Sequence, residues 1–98
     1  MAYKANVELS TQAGNLHGML EASPYVLKMN GKIQPLEMVP TPLGIDLPKL
    51  TINGRWTFTN GAQGGGEFDT WVIFIPTPEG HVGSIIASAF DLTGRWQP

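Results

Sequence analysis

The sequence predicts an all-β fold, a small antiparallel β-sandwich or barrel of about seven strands, and three observations carry that reading. Turn-forming pairs recur along the chain: Asn30-Gly31, Asn53-Gly54, Asn60-Gly61 and Thr93-Gly94, with Gly64-Gly65-Gly66 and Pro76-Thr77-Pro78-Glu79-Gly80 among them. The runs between these signals are short and rich in Val, Ile, Thr, Trp and Phe, which is how short strands at regular spacing appear. The 98 residues also include 12 Gly and 8 Pro, well above the roughly 12% that the two types make up together in an average protein.

The first segment alternates cleanly: Tyr3, Ala5, Val7 and Leu9 against Lys4, Asn6 and Glu8. A period of two predicts a half-buried strand. Residues 16–22 are ambiguous by pattern, because Leu9, Ala13, Leu16 and Leu20 also fall at helical spacing. Gly14 and Gly18 would each cost a helix roughly 1 kcal/mol against Ala, and Pro24 ends the segment, so a strand is preferred. Residues 25–29 and 32–38 flank Asn30-Gly31, a strong hairpin signal, and Pro35 suggests that the second of these strands lies at an edge. Residues 39–48 carry Pro40, Pro42 and Pro48 with Gly44. Proline cannot donate to a ladder, so this stretch is expected to cross irregularly.

Residues 50–59 need a register argument. A turn at Asn53-Gly54 would set Ile52 opposite Arg55 and Leu50 opposite Thr57, mixing polar with apolar on one face. A strand running through puts Leu50, Ile52, Trp56 and Phe58 on one face and Thr51, Asn53, Arg55, Thr57 and Thr59 on the other. The through-strand is cleaner, with Gly54 at a bulge or a close backbone contact. Residues 68–75 are apolar on both faces: Phe68, Val72 and Phe74 against Trp71, Ile73 and Ile75. Such a strand is central, or something covers its second face. Residues 82–90 place Val82, Ile86 and Phe90 on one face and the smaller set Gly83, Ile85, Ala87 and Ala89 on the other.

Composition narrows the function classes. Charged residues make up 14% of the chain, where typical domains have about 25%. The apolar fraction of 42% and the net charge of −2 do not fit a disordered chain. The length fits one β domain over residues 1–98. No run of about 20 apolar residues is present, so no membrane span is expected. The six basic residues are spread singly, which disfavours nucleic acid as a partner. Without Cys there is no disulfide, thiolate nucleophile or Cys-based zinc site. Residues 1–10 lack a basic segment followed by an apolar run, so no signal peptide is expected, and the compartment is left open.

Gly54-Arg55-Trp56 recurs as Gly94-Arg95-Trp96. One account is a pair of related strands whose arginines stack on aromatics at a ligand mouth. The simpler account has both tryptophans closing the core and both arginines at its rim. Gly-x-Trp on a strand resembles the short signature of lipocalin-like barrels. That family carries it near the start of a longer, eight-stranded chain, whereas here it is mid-chain and terminal, and the resemblance is not adopted. With Trp71, whose face is the surplus one, these residues form the candidate ligand-binding set: Arg55, Trp56, Trp71, Arg95 and Trp96. Tyr3 and Tyr25 could extend it into an aromatic platform for a sugar.

Glu67 and Asp69 share a strand face. Paired carboxylates can act as acid and base or hold a hard cation, though a solvated strand start explains them as well. His17 and His81 are isolated, without the spacing of a zinc site. Ser84, His81 and Asp91 make a nucleophilic triad only on paper, because no nucleophile-elbow motif supports them. Gly64-Gly65-Gly66 is not a phosphate loop, since no Lys-Ser/Thr follows.

The expectation is therefore a binding or structural β module without enzymatic activity, cofactor or metal. It is expected to assemble as a homo-oligomer that buries the surplus apolar faces of residues 68–75 and 82–90. The alternative is a β-barrel or sandwich that binds a sugar or a small apolar ligand. A third reading is a small hydrolase using Glu67, Asp69 and Asp91.

Overall fold

Alternating side chains give a sheet one dry face and one wet face, and curling lets a short chain close the dry face on itself. The computed structural model describes residues 3–98. Nine strands follow one another: β1 (Tyr3–Gln12), β2 (Asn15–Ala22), β3 (Tyr25–Lys32), β4 (Glu37–Pro40), β5 (Asp46–Phe58), β6 (Gly66–Ile73), β7 (Ile75–Thr77), β8 (Gly80–Ala87) and β9 (Phe90–Trp96). They form one mixed sheet curled into a half-barrel. The all-β class stands, with nine strands in place of about seven.

The two additional strands are β7 and β9. The run 68–75 breaks at Phe74, which is buried between β6 and β7. Phe90 opens a new strand after a turn at Ser88, whose φ is 54°, instead of ending the strand before it. The sheet is also not purely antiparallel. β1 and β9 pair in parallel from Tyr3↔Phe90 to Leu9↔Trp96. These are the first and last strands, and they meet because the chain has wrapped round the core. Every other pairing is antiparallel.

Residues 15–22 form a strand, as their glycines suggest. β5 runs through Asn53-Gly54 and pairs on both edges, with Gly54 opposite Met29 of β3 and Phe68 of β6. A Cβ at Gly54 would collide with the Phe68 ring and the Lys28 carbonyl. The glycine is there to let that ring lie across the strand.

Asn30-Gly31, in contrast, is not a turn. It lies inside β3, where Gly31 pairs with Leu16 and Ile52. A Cβ there would strike the Thr51 carbonyl and the Ile52 side chain, so the position requires a bare backbone for close approach and not a left-handed one. The hairpin turns next to β2 are Ala13-Gly14, with φ of 51° and 80°, and Ser23-Pro24, joined by a cis peptide. The first matches a turn with both central residues left-handed.

Residues 39–48 are not an irregular crossing either. They form most of a β4–β5 hairpin in which Glu37 pairs with Lys49 and Pro40 with Asp46. The prolines are tolerated because β4 is an edge strand and the β6 pairing of β5 begins only at Lys49, after Pro48. Lys49 pairs with both β4 and β6, and Arg55 with both β3 and β6. So β3 and β4 lie end to end along one edge of β5, and β6 takes the other.

The core is apolar throughout: among the described residues no polar or charged side chain is buried. Leu27, Leu50, Ile52, Val72, Ile85 and Leu92 fill its centre. One end is closed by aromatic rings, with Tyr25 edge-on to Tyr3, Trp56 and Phe90 at centroid distances of 5.2, 5.8 and 5.2 Å. At the other end Trp96 packs against Phe74 at 5.4 Å, and its indole N–H donates to Thr11 Oγ1 at 2.9 Å.

Candidate interaction surface at the β6–β8 seam

The half-barrel closes where β6 meets β8, and no ladder joins the two. β6 spends its pairing on β5, and β8 spends one edge on β9 and only its first three residues on β7. The contact across the gap is made in two other ways. The Thr70 hydroxyl donates to the Ile86 carbonyl at 2.9 Å. Gly83 comes so close that a Cβ would lie 2.7 Å from both the Ile73 carbonyl oxygen and Val72 Cγ2. A side-chain bond and a bare backbone thus take the place of a strand pairing.

Alternation decides what shows on the outside of this seam. In β6, Phe68 and Val72 point into the core, which turns Glu67, Asp69, Trp71 and Ile73 outward. In β8, Gly83, Ile85 and Ala87 are the core face, so Ser84 and Ile86 point outward. The outer surface holds a groove of about 580 Å³ between Trp71, Ile73 and Ile75 on one side and Val82 and Ile86 on the other, with Thr70, Gly83, Ser84 and Thr93 at its floor and ends. None of the residues lining it is charged. Trp71 is 50% exposed and Ile86 63%. Lys49 Nζ sits 4.5 Å from the centroid of the Trp71 ring and 3.3 Å from Glu37 Oε1. The cation covers part of the ring and leaves the rest facing the groove. A contiguous apolar patch of this kind, rimmed by polar groups, marks an interaction surface more often than isolated exposed side chains do.

The five residues singled out as a ligand set do not converge. Consecutive residues on a strand face opposite ways, so Arg55 cannot stack on Trp56, nor Arg95 on Trp96. In both repeats the glycine and tryptophan face inward and the arginine outward. Trp56 is half-buried among the rings at one end, and Trp96 is buried at the other. β9 runs from Phe90 at the first end to Trp96 at the second, about 20 Å at strand rise. Arg55 pairs with Glu67 at 2.7 Å, both well exposed. Arg95 lies beside Glu8 in the parallel register. Trp71 alone of the five borders the groove.

Glu67 and Asp69 do share the outer face, in a polar depression with Lys28, Asn30, Asn53 and Arg55. Asp91 borders a separate depression beside Lys4 and Asn6. The paper triad does not assemble: His81 packs edge-on to Trp96 at 5.6 Å on the inner side of β8, whereas Ser84 points outward. His17 lies on the outer face of β2, opposite Ser10 and Asn30 in register. Among the described residues no group of three or more His, Asp or Glu is placed to hold a metal ion, and no helix is long and apolar enough to cross a membrane.

Sequence reasoning located Trp71 by its surplus face, with Ile73 and Ile75 on the same face, but did not single out Ile86 or Lys49 as its neighbours. The alternation of residues 82–90 contained the signal for Ile86, once the smaller face is taken as the inner one. Neither a protein family, nor a curated protein, nor a solved structure matches the chain.

Proposed function

We propose that this chain is a binding or structural β module that assembles with copies of itself, using the outer face of the β6–β8 seam. The observation that carries this is the uncharged groove between Trp71 and Ile86, set in a surface where the other depressions contain charged side chains. A second copy is favoured as the occupant because a surface without charge presents no repulsion to its own duplicate. A small domain with a modest core also gains stability by covering apolar surface in an assembly.

Light scattering tests this directly. The wild-type protein is expected to run well above the 10.6 kDa of a single chain. Ile86→Asp places a charge in the groove without touching the core, and it is expected to lower the mass to that of the single chain while circular dichroism stays unchanged. A wild-type protein that is monomeric at all accessible concentrations would overturn the proposal.

A further inference from the structure

A second apolar feature starts beside the groove, where Lys49 of β5 stacks on Trp71, and has the opposite shape. The β4–β5 hairpin projects from the half-barrel: β4 packs on β5 alone to any extent, and among the described residues its other edge has no strand partner. The molecule is correspondingly elongated, 46 Å by 32 Å by 23 Å. The tip is well defined, with the Thr41 N–H and hydroxyl both donating to the Ile45 carbonyl and the Gly44 N–H donating to that of Thr41. Residues 38–45 contain no charge, and Met38, Leu43 and Ile45 stand about half or more exposed, Leu43 at 64%.

A two-stranded ribbon is marginal in water by itself, and one that displays apolar side chains at its tip lacks a cover. The chain thus carries a convex arm whose tip, residues 38–45, is uncharged between Glu37 and Asp46, and a concave uncharged groove, both exposed in the single copy. Packing groove on groove through a two-fold axis would cover the seam and leave the arm bare. Seating the tip of the arm of one copy in the groove of the next covers both, and neither residues 38–45 nor the groove lining carries a charge.

We propose that self-assembly is head-to-tail, with the β4–β5 arm of one copy docked in the seam groove of its neighbour. This rests on the self-assembly reading above and specifies its contact. Such a heterologous interface generates a closed ring or an open fibre according to the rotation between copies.

Complementation tests it. Leu43→Asp damages the arm and Ile86→Asp the groove, and both positions are exposed, so circular dichroism should match the wild type in each case. Each variant alone is expected to be monomeric. Mixed, the intact arm of the Ile86→Asp copy meets the intact groove of the Leu43→Asp copy. The mixture titrated upward should therefore yield a one-to-one dimer of twice the single-chain mass. If the Leu43→Asp copy assembles like the wild type, or if the mixture stays monomeric while the wild type assembles, the arm-in-groove contact is wrong and self-assembly by another face survives. If the wild type is itself monomeric, both proposals fall together.

Discussion

Two parts of the outer surface obey the same alternation and end with opposite chemistry. On the wall formed by β1, β2, β3 and β5, the outward positions include Glu8, Ser10, His17, Lys28, Asn30, Asn53 and Arg55, with Met19 an exposed apolar exception. At the seam between β6 and β8 they include Trp71, Ile73 and Ile86, with Ser84 on β8 and Glu67 and Asp69 only at the start of β6. Every strand of the wall is paired along both edges, whereas β6 and most of β8 have a ladder on one edge only. A fully paired wall needs nothing further from its outer side chains than solvation. The seam combines free strand edges with apolar side chains, the two features that natural sheets otherwise keep apart to avoid sticking. The proposed self-assembly uses this difference, covering the seam and leaving the wall in solvent.

The comparison can be broken or sharpened by substitution. The largest effect is expected beneath both regions, in the dry face they share. Phe68→Ala removes the ring that lies across Gly54 and should cost about 3–5 kcal/mol in urea unfolding. A loss below about 1 kcal/mol would mean that the ring is not packed across Gly54. A smaller effect is expected at the seam. Thr70→Val deletes the one side-chain hydrogen bond recorded across the β6–β8 gap and should cost about 1 kcal/mol. Hydrogen exchange should show the loosening confined to β6 and β8, and uniform loosening would contradict the account of how the half-barrel closes. The smallest effect belongs to the wall. Arg55→Ala breaks an ion pair whose side chains are 70% and 72% exposed, and stability should change by less than about 0.5 kcal/mol. A drop of 2 kcal/mol or more would show that the wall supports the fold in a way its exposure does not suggest.

Much of the fold could be read residue by residue. The through-strand at Gly54, the shared face of Glu67 and Asp69 and the two-sided apolar character around Trp71 follow from the pleat, which is local, and the strand over residues 16–22 follows from the cost of Gly14 and Gly18 to a helix. Where local signals failed, a distant contact had overruled them. Asn30-Gly31 looks like a hairpin turn, but the side-chain-free position was needed for the Thr51 carbonyl and Ile52, about twenty residues away. The prolines of residues 39–48 look like breaks in a ladder, yet they sit at positions where no partner strand asks for a donor. The repeated Gly-Arg-Trp suggested one site, and the topology placed its two tryptophans at opposite ends of the core.

By itself the sequence determined that the chain is built of strands and which side chains share a face, because side-chain alternation is imposed by the backbone of each strand alone. Only the tertiary structure decided that β1 lies parallel to β9, that β6 and β8 meet without a ladder, and that the β4–β5 arm stands clear. Those outcomes depend on which strands become neighbours after the chain has wrapped round its core. The surplus apolar face was visible in the residues. That it became an open groove, matched by a projecting apolar arm, is a consequence of closure.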